Sequence, residues 1–210
     1  MDFFITVTKN IKKMIKSISK TMSLVILLIT INVNAQTTFN ADVDHAVINW
    51  KGFKPTGEHY GTIKLKSGNF KVNNNTISGG EFTIDMNSMV VVDLPAESEY
   101  NAKLTGHLKS DDFFGVAKFP TASFIITSTE KKEGKHLVKG DLTIKGITNP
   151  VEFLAEVNMG NDKMTFKSET FKIDRSKWDI KYKSTSFFDS LGDKFIYDDM
   201  EISVVLEAKK

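Results

Sequence analysis

The sequence predicts an all-β fold, a single antiparallel eight-stranded barrel with one short amphipathic helix. Three observations lead to this prediction. Apolar and polar residues alternate with a period of two in one segment after another, which is typical of strands with one buried face. Turn-forming residues separate about eight such segments, and no linker, repeat or low-complexity stretch divides them into two domains. A single interval has the four-residue spacing of a helix instead.

The predicted strands follow one another along the chain from residue 43 to residue 208. They cover residues 43–52, 61–70, 81–86, 123–129, 137–144, 151–157, 164–173 and 200–208. The last segment shows the pattern most clearly, because every second residue from Met200 to Ala208 is apolar. Turns such as Asn73-Asn74-Asn75 and Glu133-Gly134 suit hairpins. Closing such a sheet removes its edges, and an eight-stranded barrel can enclose one small ligand.

The helix is predicted over residues 95–109, between the third and fourth strands. Asp93 is placed to cap it, and Pro95 suits its first turn. Its apolar stripe consists of Tyr100, Leu104 and Leu108. We expect this stripe to lie on the barrel or across its mouth, with Phe113 and Phe114 directly behind it.

Residues 1–35 are predicted to be a secretory signal peptide, and residues 36–210 the barrel domain. Five lysines precede an apolar run of about 12 residues, and Val33-Asn34-Ala35 offers small residues for cleavage between Ala35 and Gln36. The run is shorter than the ~20 residues of a membrane-spanning helix, so we expect a periplasmic or secreted protein with no permanent membrane anchor. An uncleaved anchor is the alternative. Translation can start at Met1 or at Met14, which would leave a leader of more ordinary length.

Composition narrows the classes of function. The leader contains five of the 28 basic residues and one of the 26 acidic residues, which leaves 23 against 25 and a formal charge of −2. A clustered basic face is therefore not expected, and neither is nucleic acid as a partner. Without cysteine, the exported chain has to be stabilised by its apolar core, for which 175 residues suffice.

Three motifs resemble those of the YceI-like family. They are residues 107–124, which contain the Phe113-Phe114 pair, residues 140–151 and residues 171–178, and they occur in the family's order. The resemblance extends from about Phe39 to Ala208. It implies a lipocalin-like barrel that holds an isoprenoid or another long-chain lipid, and a binding protein rather than an enzyme. Trp178-Asp179 replaces the phenylalanine-glycine pair that the family pattern leads us to expect.

The sixteen phenylalanines fit two alternatives, a packed core or the wall of a cavity, and the resemblance favours the cavity. A wall of aromatic and aliphatic side chains would bury a long apolar ligand and offer few hydrogen bonds. The apolar residues predicted to bind the ligand are Trp50, Phe82, Ile84, Phe113, Phe114, Phe124, Leu142, Ile144, Phe153, Phe166, Phe171, Ile202, Val204 and Leu206.

Two polar residues complete the predicted ligand site. Arg175, the only arginine, could hold an acidic lipid headgroup with its planar guanidinium. The favoured alternative is a structural ion pair with a carboxylate such as Asp174, Asp179 or Glu169. His107 could hydrogen-bond a polar end of the ligand, although a histidine in this position more often packs against its own helix end.

Catalytic and metal-binding patterns are weak in this sequence. It contains no Gly-x-Ser-x-Gly motif and no cysteine, and the acidic residues around His45 match no standard zinc spacing. No catalytic residue, metal or cofactor is expected apart from a bound lipid. We therefore predict an exported protein that sequesters or transports a long-chain isoprenoid or fatty-acyl lipid. A lipid-modifying enzyme and a ligand-free structural or stress-response module are the alternatives, and the sequence leaves a homodimer open.

Overall fold

Ten strands of one antiparallel sheet make up most of the computed structural model, which describes residues 12–14 and 36–210. The strands are β1 (Thr37–Ala41), β2 (Val47–Lys54), β3 (Gly57–Asn73), β4 (Thr76–Val91), β5 (Thr121–Lys132), β6 (Lys135–Ile144), β7 (Ile147–Met159), β8 (Lys163–Ser168), β9 (Phe171–Asp174) and β10 (Asp199–Lys209). A helix, α1 (Glu99–Lys109), connects β4 to β5. Short 3-10 turns occupy Val43–His45, Arg175–Trp178 and Gly192–Lys194.

Eight of the ten strands form a closed ring. Strand β2 pairs with β3, each strand from β3 to β7 pairs with the next, and β10 pairs with both β8 and β2. The other two strands do not add positions to the ring. Strand β1 pairs with β3 and β10, the same two neighbours as β2, and β9 pairs with β10, as β8 does. The predicted eight-stranded antiparallel barrel is therefore confirmed, and every strand of the ring has a partner on both sides.

The structure corrects several strand boundaries. The predicted strand 43–52 begins with a 3-10 turn, so β2 starts only at Val47, and the sequence pattern missed β1. The predicted strand 164–173 is two strands, β8 and β9. Between their two pairings with β10, the backbone N–H of Val204 donates to Ser168 Oγ at 2.8 Å instead of to a strand carbonyl. A buried hydroxyl thus replaces one ladder hydrogen bond where the strand is interrupted.

Helix α1 starts later than predicted. Ser98 caps it, because its Oγ accepts the Asn101 N–H at 3.0 Å, and Asp93 does not. Tyr100 is 76% exposed, so its assignment to the buried stripe was wrong. Asn101 is buried instead, and its side-chain amide donates to the carbonyls of Val91 (3.1 Å) and Leu94 (3.0 Å). These two bonds fasten the first turn of α1 to the end of β4.

The segment after α1 folds back under the helix. Its Phe113 and Phe114 are buried, and the N–H of Phe114 donates to the carbonyl of Leu108 at 3.1 Å. Both rings join Leu108 in one of two apolar clusters, at the end of the barrel where β2 ends and β10 begins. The second cluster lies around Phe70 and Phe166. Val204 packs against both, which places it between them.

The predicted leader lies outside the described residues, except for residues 12–14, which are helical. Residues 36–210 form a compact unit of their own. Among the described residues no helix is both long enough and apolar enough to span a membrane.

Candidate functional site

An apolar cavity lies inside the barrel, between the two core clusters. Its volume is about 120 Å³, and all of its lining residues are apolar. The wall is formed by inward-facing residues of β2 to β10, together with Phe114 from the segment after α1. Strand alternation explains this arrangement, because every second side chain of each strand points to the inside of the barrel.

The structure brings together thirteen of the sixteen residues predicted to bind a ligand. Those that line the cavity are Trp50, Phe82, Ile84, Phe114, Phe124, Leu142, Ile144, Phe153, Phe166, Phe171, Ile202, Val204 and Leu206. Phe113, His107 and Arg175 do not line it. Whether the thirteen contact a ligand stays a prediction.

Other lining residues were missed by the sequence analysis. They are Ile48, Ile63, Leu65, Phe70, Met86, Met89, Ala122, Ile126, Val151, Ile173 and Met200. Most of them lie on strands that also carry predicted ligand-binding residues, and they belong to the same inward-facing series. The apolar–polar alternation could therefore have identified them. Met89 is different, because the β3–β4 ladder shifts register between Thr62 and Lys64 and again between Leu65 and Ser67. Such irregularities interrupt a simple period of two along a strand.

Aromatic rings form much of the cavity wall. Phe153 stacks on Phe171 with ring centroids 4.3 Å apart and planes 12° apart. Phe70 contacts Phe82 at 4.9 Å and Phe166 at 5.2 Å. An apolar cavity of about 150 Å³ can hold a benzene-sized molecule. The observed volume therefore fits one ring or a short chain segment, and a longer chain requires the lining side chains to repack.

A second, smaller cavity of about 80 Å³ adjoins the first at the α1 end of the barrel. Trp50, Phe114 and Met200 belong to the walls of both cavities. The remaining wall residues of the second cavity are Gly52, Phe53, Lys54, His59, Leu104, Leu108, Phe113, Arg175, Ile196 and Tyr197. Its wall thus includes residues with charged and titratable side chains, which the main cavity lacks, although nearly all of the surface that faces the cavity is apolar.

A polar chain of three side chains lies at one side of this second cavity. His59 Nδ1 donates to Asp93 Oδ2 at 2.7 Å, and Lys54 Nζ lies 3.4 Å from His59 Nε2. Asp93 Oδ1 also accepts the Tyr60 N–H at 3.0 Å. Burial alone would raise the pKa of the Asp93 carboxyl, but the hydrogen bonds from Tyr60 and His59 bring it below its ordinary value. Asp93 is therefore a fixed anion that orients the His59 ring.

Arg175 is buried at the other side of the second cavity, with 1% of its surface exposed. Its guanidinium donates to the carbonyls of Ile180 (2.9 Å), Ile196 (3.1 Å) and Tyr197 (3.2 Å). Burial lowers the pKa of this guanidinium, although Asp198 and Asp174 favour its charged form. The arrangement joins the 3-10 turn after β9 to the loop before β10.

The ion-pair partner of Arg175 differs from the three carboxylates suggested by the sequence. It is Asp198, whose Oδ1 lies 3.2 Å from Arg175 Nη2. Asp174 instead accepts the N–H of Ser176, Asp179 pairs with Lys181 and Glu169 pairs with Lys135. Asp198 directly precedes β10. The loop before β10 brings Asp198 next to Arg175 in space, although the two residues are far apart in the sequence.

His107 lies outside both cavity walls. Its Nε2 is 3.0 Å from Asp112 Oδ2, and its ring makes edge-on contacts with Phe113 and Tyr182. These contacts attach the end of α1 to the following turn. They match the alternative in which this histidine packs against its own helix end, and a contact with a ligand stays a prediction.

The closed eight-stranded ring, the internal apolar cavity and the helix beside it define a lipocalin-like barrel. The chain belongs to the YceI-like family, since the family model described as the YceI-like domain matches residues 14–208. It is similar to Protein YceI of Salmonella arizonae, with 32% identity over 164 residues, which are 76% of this chain and 80% of that protein.

Two solved structures share the fold. BcnA of Burkholderia cenocepacia superposes with a TM-score of 0.64 and 19% identity, over 80% of this chain and 99% of BcnA. A domain of Saccharophagus degradans described as polyisoprenoid binding superposes with a TM-score of 0.58 and 13% identity, over 81% of this chain and 97% of that domain. At these identities the likeness establishes a common barrel.

Proposed function

We propose that this protein is an exported binding protein that sequesters or transports a long-chain apolar lipid inside its barrel. The observation that carries the proposal is the main cavity, which is internal and lined by apolar residues alone. Such a wall selects for apolar surface and against polar solutes, because a buried polar group without a partner is costly. Polyisoprenoid binding, named for the S. degradans domain, makes an isoprenoid chain the first ligand class to test.

Reversible burial is the mechanism that this wall supports. Each methylene group transferred from water to an apolar site contributes about 0.8 kcal/mol, so affinity grows with the length of chain that enters. Met86 and Met89 in the wall are unbranched side chains that adapt readily to ligand shape. We expect lipid entry to displace side chains of the wall and to enlarge the cavity.

Binding without catalysis accounts better for the main cavity than a lipid-modifying reaction does. A reaction on a buried lipid needs a titratable group within reach of the reacting atom. The wall of the main cavity contains no such group among the described residues. A ligand-free module with a filled core is disfavoured by the cavity itself.

The proposed function is tested by mass spectrometry of organic extracts from the native protein. We expect one long-chain lipid class to be enriched in near-stoichiometric amount relative to extracts of an unrelated protein purified from the same cells. An isoprenoid and a fatty-acyl lipid differ in fragmentation, so the same measurement separates the two classes. Extracts that contain no enriched lipid, together with no uptake of added lipid, would contradict the proposal.

Export is part of the proposal, and the leader supports it. If the signal peptide is cleaved after Ala35, the mature protein begins at Gln36. N-terminal sequencing of protein from the periplasmic or secreted fraction should return Gln-Thr-Thr. Recovery of the uncleaved chain in the membrane fraction would favour the anchor instead.

A further inference from the structure

The indole N–H of Trp50 is a buried donor that the protein leaves unsatisfied. Trp50 is 4% exposed, and its Nε1 has no hydrogen-bond partner among the described residues. Trp178, the second tryptophan, donates from its Nε1 to the Leu142 carbonyl at 3.1 Å. Because a buried donor normally finds a partner, the exception at Trp50 calls for an explanation.

Trp50 lies where the two cavities meet. Its indole is part of the wall of both the apolar cavity and the smaller second cavity. The ring packs against Gly61 on the neighbouring strand, where a Cβ atom would lie 2.8 Å from Trp50 Cζ2 and 2.9 Å from Cε2. The same Cβ would lie 1.9 Å from the Val90 carbonyl oxygen, so only glycine leaves room here for both the indole and the neighbouring strand.

Lys54 supplies a positive charge on the second-cavity side of this boundary. Within residues 36–210 its ammonium makes no ion pair with a carboxylate, and its one polar contact described above is with His59 Nε2. Arg175, the other cation in the wall, is already bound to three carbonyls and paired with Asp198. A ligand anion in the second cavity would therefore find Lys54 available, and Arg175 largely occupied.

We propose that the second cavity is a headgroup site for an acidic lipid, in which Trp50 Nε1 donates to a carboxylate or phosphate oxygen and Lys54 neutralises its charge. The inference rests on the proposed binding of the lipid tail in the main cavity. It explains why one residue in the wall of both cavities carries an unpaired donor, and why charged side chains line the cavity on one side of it. A charge-assisted hydrogen bond from a buried donor is strong, and it orients the chain with its headgroup toward α1.

Nuclear magnetic resonance provides a direct test, because the chain has two tryptophans and hence two indole N–H signals. Dodecanoic acid, dodecanol and dodecane share one chain length and differ in their headgroup. We expect the acid to move the Trp50 indole proton downfield, the alcohol to move it less and the hydrocarbon to leave it near its lipid-free position. The Trp178 signal, already hydrogen-bonded, serves as the internal reference.

Two substitutions test the energetics by calorimetric titration. Trp50→Phe removes the donor and keeps an aromatic ring in the wall, so the ratio of the affinity for dodecanoic acid to the affinity for dodecane should fall about tenfold, whatever the smaller ring does to binding of the tail. Lys54→Gln should weaken the acid about fivefold and leave the alcohol unchanged. Lys51→Gln is the matched control on the same strand, since Lys51 already pairs with Glu58 at 3.0 Å, and it should change neither affinity.

The outcomes separate this inference from the proposed function. If all three probes bind with similar affinity and the Trp50 signal stays in place, lipid binding stands and the headgroup site is wrong. If none of the probes binds, both proposals fail. A thermal melt of lipid-free Trp50→Phe guards against misfolding, and a midpoint near that of the wild type is expected because the lost donor had no partner.

Discussion

Lipid-free Val204→Trp should retain near-wild-type stability and lose at least tenfold in affinity for long-chain lipid. Val204 lines the main cavity in the middle of the barrel, where it contacts both apolar clusters. In a close-packed interior a larger side chain costs about 1–3 kcal/mol through strain. Here the indole can occupy the cavity of about 120 Å³, which is the space that a lipid chain needs. Denaturant unfolding and lipid titration of the same preparation measure both effects.

Val205→Trp is the matched control for this substitution. Val205 follows Val204 on β10 and points to the outer face, where it is 41% exposed. The same increase in size there should leave both cavity and affinity unchanged. Two results would remove the main physical support for lipid binding: unfolding of lipid-free Val204→Trp, or a folded Val204→Trp that binds lipid as the wild type does.

Alternation made the barrel predictable from sequence. From Met200 to Ala208, for example, the even positions lie inside the barrel or in its core and the odd positions face outward or are partly exposed, as the period of two requires. Alternation could not show that two short strands, β8 and β9, pair with successive parts of the same neighbour, β10. Strands β8 and β9 look like one strand in sequence, because the interruption depends on the contact of Ser168 with Val204 across 36 residues.

The start of α1 illustrates a different limit. Asp93 and Pro95 are reasonable residues for a helix start, but Asp93 is engaged by Tyr60 and His59 on β3. Ser98 then caps the helix, and the stripe shifts so that Asn101 is buried rather than Tyr100. Tertiary hydrogen bonds from a distant strand thus override a local capping preference.

The candidate site was predictable in its apolar part and not in its polar part. Inward-facing residues such as Phe153 and Ile202 follow from strand period alone. Polar roles depend on which loops meet in space, and neither the pairing of Arg175 with Asp198 nor the unpaired donor of Trp50 has a local signature. Trp50 was selected as an apolar wall residue, and its N–H matters only because it has no hydrogen-bond partner among the residues that the structure describes.

Arg175→Lys should destabilise the protein by about 3 kcal/mol and leave lipid affinity unchanged. A lysine has the charge but lacks the planar fork, so the carbonyls of Ile180, Ile196 and Tyr197 cannot all keep a donor, and each buried carbonyl left unpaired costs about 1–3 kcal/mol. Denaturant unfolding of lipid-free protein measures the loss. The control is Lys172→Gln, which breaks an exposed pair with Asp199 and should cost about 0.5 kcal/mol or less.

The changes in stability and in lipid affinity of Arg175→Lys together show what the only arginine of the chain does. A drop in stability with unchanged affinity means that Arg175 fastens the loop before β10 to the turn after β9, and that the ligand depends on it only through the folded state. The opposite pair of results, wild-type stability with a tenfold loss of affinity for acidic lipids alone, would make Arg175 the headgroup ligand in spite of its three carbonyl partners. Because the guanidinium is 1% exposed and already bonded, binding a headgroup would require it to give up at least part of that network. We therefore expect the first result.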